Sequence, residues 1–557
     1  MSSLAPALLD SLQRLLPRQN DQPLPQGLSA LISALAEALE RGDLGLDLRA
    51  EPPAEGVLQA LQSCGWLVEA EQLERQPEAV LVRDGPWLRW RRWHEHLQDC
   101  ITQVLALGSS AIDPAPSASS LRAARQRAEA AGLDGRQCDA VSALLERRLV
   151  LLTGGPGTGK TSTVVQMLAA ALRQNPELRI ALAAPTGKAS ARLGEAVQAG
   201  SRSLEPPLAE QLRHLPSGTL HRLLEAQGDN RFGRNRRHPL ELDLLVIDEL
   251  SMVDLPLMAA LLAAMPAQGQ LLLVGDPHQL PPVGPGAVLE ELCRAERLAV
   301  LGKAAVELRT TYRNDGAIAA LAEQLRQGSG ALERDWLSKL QAPDNVTWLE
   351  SPRQRLPELL LERLRQQQEQ LQHQASQLRW SGDEPDPAQS QALLAQLEAL
   401  IALSPIRQGA WGVEAIHRAL LGELVRRPLQ HWPLGTPVLN RQNRPEQGLA
   451  NGDIGVIVHN GSEPRVLLPS NRVLHPAQLS GAEPAFALTV HKSQGSQYQG
   501  VLLLLPPLRH QDPRLIYTGL TRAQREVLLF TPQLETTNLE TATLETTTLE
   551  AQTPDRT

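Results

Sequence analysis

At 557 residues, the chain is long enough for about three or four domains of ordinary size. Hydrophobic residues make up 42% of it, enough for several cores, yet no apolar run approaches the roughly 20 residues of a membrane span. A net charge of −8 excludes nucleic-acid binding by bulk attraction and leaves only a local groove.

The N-terminus, with Leu4, Leu8, Leu12 and Leu15 at helical spacing, is amphipathic rather than signal-like. Leu28, Leu31, Leu35 and Leu39 mark a further helix, so residues 1–115 read as a mainly helical domain. It includes a basic, tryptophan-rich stretch, Trp87-Leu88-Arg89-Trp90-Arg91-Arg92-Trp93. Such a cluster can stack on bases, but a domain edge or protein interface is the commoner use. The expectation is a partner-docking domain whose removal, over 1–110, spares the chemistry that follows. Asp113-Pro114-Ala115-Pro116-Ser117 reads as a linker. Cys64, Cys100, Cys138 and Cys293 are scattered singly, which suggests neither a disulfide framework nor a metal cluster and fits a reducing cytoplasm.

From 116 to 305, apolar strands at 149–152, 180–184, 244–247 and 271–274 alternate with helices, the pattern of a parallel sheet covered on both faces. The first strand leads into Gly154-Gly155-Pro156-Gly157-Thr158-Gly159-Lys160-Thr161-Ser162, and a helix follows from Thr163. This is the strand–loop–helix setting of the G-x-x-x-x-G-K-[ST] phosphate loop. Its glycines let backbone N–H groups and a helix N-terminus face a polyphosphate. Lys160 is placed to reach the β- and γ-phosphates, and Thr161 to ligate Mg²⁺. The cofactors expected are ATP and Mg²⁺.

The strand at 244–247 ends in Asp248-Glu249, at the edge where α/β sheets bind ligands. Asp248 would hold Mg²⁺ through water, and Glu249 would orient or deprotonate the attacking water. A third strand ends in Gly275-Asp276-Pro277-His278-Gln279, where the Gln279 amide can both donate to and accept from a γ-phosphate. Two arginines follow in a second block, Arg313 in Thr310-Thr311-Tyr312-Arg313 and Arg522 in Tyr517-Thr518-Gly519-Leu520-Thr521-Arg522. An arginine reaching across to the phosphate stabilises transition-state charge and couples hydrolysis to closure. Of the 54 basic residues only Lys160, Lys188, Lys303, Lys339 and Lys492 are lysine, and three of these lie in the motifs described. At Lys160 a compact ammonium fits among phosphates where a planar guanidinium does not.

The second block, 306–533, has strands near 501–505 and 527–530 and a glutamine- and leucine-rich helical stretch over 354–403, interrupted by Gly382-Asp383-Glu384-Pro385-Asp386-Pro387. Residues from about 430 to 485 read as short strands and turns, an inserted small β-barrel. In the tail, 534–557, Leu-Glu-Thr recurs every five residues. That period suits neither helix nor strand, so the tail reads as disordered.

The order of these motifs resembles that of superfamily 1 DNA helicases and, in detail, the RecD family, the alpha subunit of exodeoxyribonuclease V (RecBCD). Besides the phosphate loop, Asp248-Glu249, Gly275–Gln279, Tyr312-Arg313 and Tyr517–Arg522, the matching segments include Ala184-Pro185-Thr186-Gly187-Lys188-Ala189 and Thr219-Leu220-His221-Arg222. Trp411-Gly412-Val413 also matches, and the most specific are Asn451-Gly452-Asp453-Ile454-Gly455 and His491-Lys492-Ser493-Gln494-Gly495. The resemblance implies two RecA-like motor domains, ATP in the cleft between them, single-stranded DNA across their tops and 5′→3′ translocation. It implies that Gln137 reads adenine and that Thr186, Lys188, Thr219, His221, Thr489 and His491 line the strand. Contacts of this kind to phosphate and sugar carry no sequence information, as a motor requires.

Gln497 stands where the family usually has glutamate. The basic segment Arg231–His238 lies where the family inserts a small subdomain and reads equally as a junction contact or a solvated loop. The short N-terminal part is similar to the docking domain of the RecD subunit, implying RecB-like and RecC-like partners and duplex-end DNA as substrate. No clustered carboxylate–lysine nuclease motif is present, so cutting would belong to a partner. The alternatives are a free-standing RecD-like helicase and a non-motor subunit whose ATP site switches a scaffold. The full set of catalytic residues argues against the scaffold.

Overall fold

The structure, a computed structural model, describes residues 4–15, 27–40, 42–228, 231–312, 317–327, 345–442, 449–479, 481–506 and 512–533. Arg313 and the Leu-Glu-Thr tail lie outside the described residues.

The N-terminal part carries its helices around a small sheet that the sequence pattern did not announce. Four short strands, β1 (Gly45–Asp47), β2 (Leu67–Glu69), β3 (Leu81–Asp84) and β4 (Trp87–Trp90), form a sheet in the order β1-β4-β3-β2. Gly85, at φ +58°, allows the tight turn between β3 and β4. The helix Leu28–Glu40 lays Leu28, Leu31, Ile32 and Leu35 against Leu46, Trp66, Leu81 and Leu88. The tryptophan-rich stretch is therefore strand β4 running into a helix. Its Arg89 is fully buried, paired with Asp84 at 2.6 Å and with Glu291 of the following block at 2.9 Å.

The helix Arg91–Ser109 departs furthest from the expected boundary at 115. It buries Leu97, Cys100, Ile101 and Val104 in one core with Leu149, Leu151, Leu245 and Leu271. At Gly108 a side chain would put its Cβ 2.4 Å from Leu301 Cδ2, so only glycine permits that approach. Removal of 1–110 would open the core of the first α/β block, contrary to the expectation that this segment is separable.

The first large sheet contains β5 (Leu149–Gly154), β6 (Ile180–Ala184), β7 (Ser217–Thr219), β8 (Leu244–Ile247), β9 (Gln270–Gly275) and β10 (Ala305–Leu308). All six are parallel, in the order β10-β5-β9-β8-β6-β7. Alternate residues serve two cores: Leu149, Leu151 and Ile247 on one face, Val150, Leu152 and Val246 on the other. That double burial is why these strands read as unbroken apolar runs.

The second block contains β11 (Val346–Ser351), the hairpin β12 (Trp380–Ser381) and β13 (Glu384–Pro385), and β14 (Leu400–Ser404). The inserted strands β15 (Pro437–Leu439), β16 (Ile454–Asn460), β17 (Glu463–Leu468), β18 (Arg472–Leu474) and β19 (Glu483–Pro484) come next, before β20 (Ala487–Thr489), β21 (Tyr498–Leu504) and β22 (Ala523–Pro532). A parallel sheet runs β11-β22-β21-β14-β20. In the stretch 354–403 the hairpin β12–β13 separates the helices Glu358–Ser376 and Pro387–Leu397 where the interruption was expected, but the end, read as helical, is strand β14 inside this sheet. The insert pairs antiparallel in the order β18-β17-β16-β15-β19. Among the described residues the insert is thus a five-stranded antiparallel sheet.

Candidate functional site

β5 is buried along its whole length and delivers Gly154 to the sheet's C-terminal edge. Gly157 and Gly159 take φ of +75° and +78°, the left-handed region open to glycine. A Cβ at Gly159 would also lie 2.6 Å from Gln137 Nε2. The helix Lys160–Gln174 starts at once, and the first N–H groups of a helix have no partners within it. Lys160 Nζ folds back to donate to Gly154 O at 2.7 Å and Gly155 O at 2.9 Å, and Thr158 Oγ1 donates to Gly155 O at 2.8 Å. Gln137 sits against this loop. It closes a capping box with Asp134, and its Nε2 donates to Thr158 O at 3.3 Å.

Tyr312, to which the sequence reading assigned no role, belongs to the same site. Its N–H donates to Gly157 O and its hydroxyl to Asp134 Oδ2, both at 2.8 Å. Its ring carbon Cδ2 lies 3.6 Å from the Cβ position of Gly159, and the residue is 53% exposed. An aromatic face therefore stands open beside the phosphate loop.

β8 brings Asp248 and Glu249 to the same edge. Glu249 has φ +53°, a conformation that costs a non-glycine residue about 1–3 kcal/mol, and its N–H donates to Asp248 Oδ1 at 2.8 Å. Burial and the adjacent Glu249 charge push the Asp248 carboxyl up to about 6, while the Lys160 ammonium pulls it down. The acid and the loop lysine are therefore within electrostatic reach of each other.

β9 leads into Asp276, which is buried and accepts from Tyr517 Oη at 2.8 Å and Gln279 Nε2 at 3.3 Å. Gln279 Oε1 is buried with no partner. Tyr517 Oη lies 3.3 Å, and Arg326 Nη1 3.7 Å, from where a Cβ on Gly155 would stand. Arg326 is held by Glu307 at 3.3 Å and Glu323 at 3.0 Å, with its Nε buried and unpartnered. Nothing in the sequence singled out Arg326. Arg522 is buried, its Nε donating to Thr518 O and its Nη1 to Ser496 O, both at 3.2 Å. In this state its guanidinium is taken up by carbonyls of its own block.

The expected strand-lining residues lie along the sheets' C-terminal edges. Thr186 and Thr219 cap helices, accepting from Ala189 N and Arg222 N at 3.2 Å each, and Thr219 stands beside Ala184 in register. Thr489 ends β20 and accepts from Lys492 N at 3.3 Å, while His221 and His491 are exposed. Gly495, at φ +71°, would place a Cβ 3.5 Å from Thr186 Oγ1. The His491–Gly495 loop therefore rests on the helix that Thr186 caps.

Lys188 behaves differently from the other five. It faces the second block, 3.8 Å from Glu398 and 5.5 Å from the centre of the Tyr498 ring, and burial, with Arg192 nearby, pushes its ammonium down to about 8. Arg192 binds Glu398 at 2.9 Å, Gly495 O at 3.1 Å and Gln497 O at 3.2 Å. This pair ties the two blocks together. Gln497 Oε1 accepts from Gln524 Nε2 at 3.1 Å. In the basic segment, Arg234 is neutralised by Glu225 at 2.8 Å and Glu241 at 3.2 Å.

Residues 137–285 match the AAA domain family, and residues 484–530 the UvrD-like helicase C-terminal domain. The RecBCD enzyme subunit RecD of Mycolicibacterium smegmatis is 36% identical over 490 residues, covering 84% of this chain and 83% of that one. The Haemophilus influenzae RecBCD enzyme subunit RecD is 30% identical over 71% of this chain and 68% of its own. The ATP-dependent RecD2 DNA helicase of Deinococcus radiodurans is 31% identical over 71% of this chain but only 48% of its own. Among solved structures, Bacteroides Pif1 bound to ssDNA aligns over 71% of this chain and 92% of that one, with 18% identity and a TM-score of 0.40. Identity of this degree to the two RecD subunits, over most of this chain and of theirs, means that the chain belongs to the RecD family.

Proposed function

We propose that the chain is an ATP-dependent 5′→3′ DNA helicase, the RecD-like subunit of a RecBCD-type helicase/nuclease complex in double-strand break repair and recombination. The observation that carries this reading is the hydrogen-bonded seam between two parallel-sheet blocks at the phosphate loop. Tyr517 donates to Asp276, Leu280 N to Thr518 Oγ1 at 2.8 Å and Gln494 Nε2 to Leu280 O at 2.9 Å. A change in the loop's contents is thereby felt across the seam.

The residues present suit Mg²⁺ and ATP. Lys160 occupies carbonyls that phosphate oxygens can replace, Gln279 offers an unpartnered oxygen, and Thr161 and Asp248 supply the hard oxygen ligands magnesium takes. Gly154 through Ser162 would cradle the phosphates, with Gln137 at the base. Bound ATP supplies the γ-phosphoryl group whose transfer to water drives the stroke. Glu249 would align that water, and Arg313 and Arg522 would bring positive charge from the second block as the seam closes. Thr186, Thr219, His221, Thr489 and His491 would contact single-stranded DNA through phosphate and sugar, with Lys188 acting on the seam.

In this reading residues 116–305 and 306–533 are two RecA-like motors, and 430–485 is their inserted β module. The N-terminal sheet faces RecB-like and RecC-like partners. Lys160→Gln is expected to lower DNA-stimulated ATP hydrolysis by about 10²-fold or more with an unchanged far-UV spectrum. Near-normal turnover would overturn the assignment.

A further inference from the structure

A cavity of about 300 Å³ lies where the helix Val413–Leu421 meets β19, β20 and the loop after it. That volume is at the lower end for small-ligand sites. Arg407, Arg418, Arg426 and Lys492 line it against only two acids, Glu414 and Glu483. His417 adds no charge at neutral pH, since burial pushes its imidazole down to about 4. A net positive cavity in a chain of charge −8 is a local anion trap.

The cations converge on one carboxylate. Lys492 Nζ is ion-paired with Glu483 Oε1, and Arg407 Nη2 and Arg441 Nη1 stand 3.0 and 3.8 Å from Oε2. Thr489 lines the same wall. An ammonium and two guanidiniums around one anionic group, the Arg441 guanidinium reaching it from beside the cavity, are what a phosphodiester takes. Continuity fixes the occupant as a strand rather than a free anion: the wall runs through Thr489 and Lys492 into the loop that rests on Thr186.

We propose that this cavity seats a phosphodiester of single-stranded DNA through Arg407, Arg441 and Lys492, and that the Glu483 carboxylate fills the seat when no strand is bound. The proposal rests on the DNA-motor reading for its occupant and adds residues that reading does not contain. Glu483 pairs with Leu439 of β15, so a strand that displaces its carboxylate also acts on the inserted sheet. Strand arrival is thereby linked to the position of that module.

Binding of a fluorescent oligothymidylate to the full chain tests this by anisotropy across a salt series. Glu483→Gln is expected to bind roughly fivefold tighter than the unmodified chain, and Lys492→Gln more weakly, with a salt slope smaller by about 0.7. Combining the two should erase the gain. Tightening that survives in the double variant, or none in a folded E483Q, overturns the proposal. A second test needs no variant. Oligothymidylate should suppress acetylation of Lys492 by acetic anhydride and leave Lys303 unaffected. Equal labelling of Lys492 with and without the strand, or equal protection by inorganic phosphate, would contradict a strand seat. Failure of the unmodified chain to bind the oligonucleotide at any salt would instead sink the motor reading itself.

Discussion

Asp248 pays for its position at the loop. Its carboxyl is pushed up to about 6 from an ordinary 3.8 by burial and by Glu249, so the folded chain binds that proton more tightly than the unfolded one. The ionised group therefore costs stability at neutral pH. The cost fades as pH falls through about 6 and is gone below 3.8. Asp248→Asn is expected to raise the urea midpoint at pH 7.5 in metal-free buffer, converge with the unmodified chain below pH 4 and abolish hydrolysis. A lower midpoint at pH 7.5 would show that the charge is stabilising instead. That Lys160, Asp248, Glu249 and Gln279 stand at the C-terminal edge of one sheet was legible in the sequence, because each lies within a few residues of the end of a short apolar strand. Tyr312, Tyr517 and Arg326 were not: their roles arise from contacts such as Tyr517–Asp276, 241 residues apart. Lys188 matched a strand-contacting motif, yet the fold turns it onto Glu398 and Tyr498.

At the scale of elements, the N-terminal region is bound into the first motor block by the Arg91–Ser109 helix and by Glu291. That carboxylate is nearly buried and receives Arg89 at 2.9 Å, Arg294 at 2.8 Å and Arg297 at 2.5 Å. Glu291→Ala leaves these guanidiniums short of their shared counter-charge and is expected to cost about 3–5 kcal/mol in urea unfolding. A cost under about 1 kcal/mol would mean that water or Asp84 replaces it. Deleting 1–110 strips Leu97, Ile101 and Val104 from the core, at about 2–5 kcal/mol for each large side chain. The product is expected to be aggregated and without ATPase, and a soluble, active truncation would contradict the shared core. The six anticipated strands were legible because double burial makes them continuous and apolar. β14, Leu400-Ile401-Ala402-Leu403-Ser404, was absorbed into the preceding helical pattern, since so short an apolar run shows no period of its own. The three- and four-residue strands of the N-terminal sheet are too short for alternation to register.

At the scale of the molecule, two parallel sheets meet along Asp276–Tyr517, Leu280–Thr518, Arg192–Gly495 and Lys188–Glu398. Part of that seam borders the phosphate loop and part borders the Thr186–Gly495 contact, so one closure acts on both the loop and the edge proposed to carry the strand. The inserted sheet reaches the first block as well, since a Cβ at Gly187 would stand 2.5 Å from Ala450 Cβ. A cycle of seam closing and opening, gripping sequence-blind contacts each time, is what translocation requires. The most direct test is strand displacement with ATP and Mg²⁺ by the chain assembled with its RecB-like and RecC-like partners, the partners' own motor inactivated. The substrates are duplexes bearing a 5′ or a 3′ single-stranded tail. The account predicts displacement from the 5′ tail that is lost with Lys160→Gln. Displacement from the 3′ tail alone, or from the 5′ tail undiminished by Lys160→Gln, would contradict it.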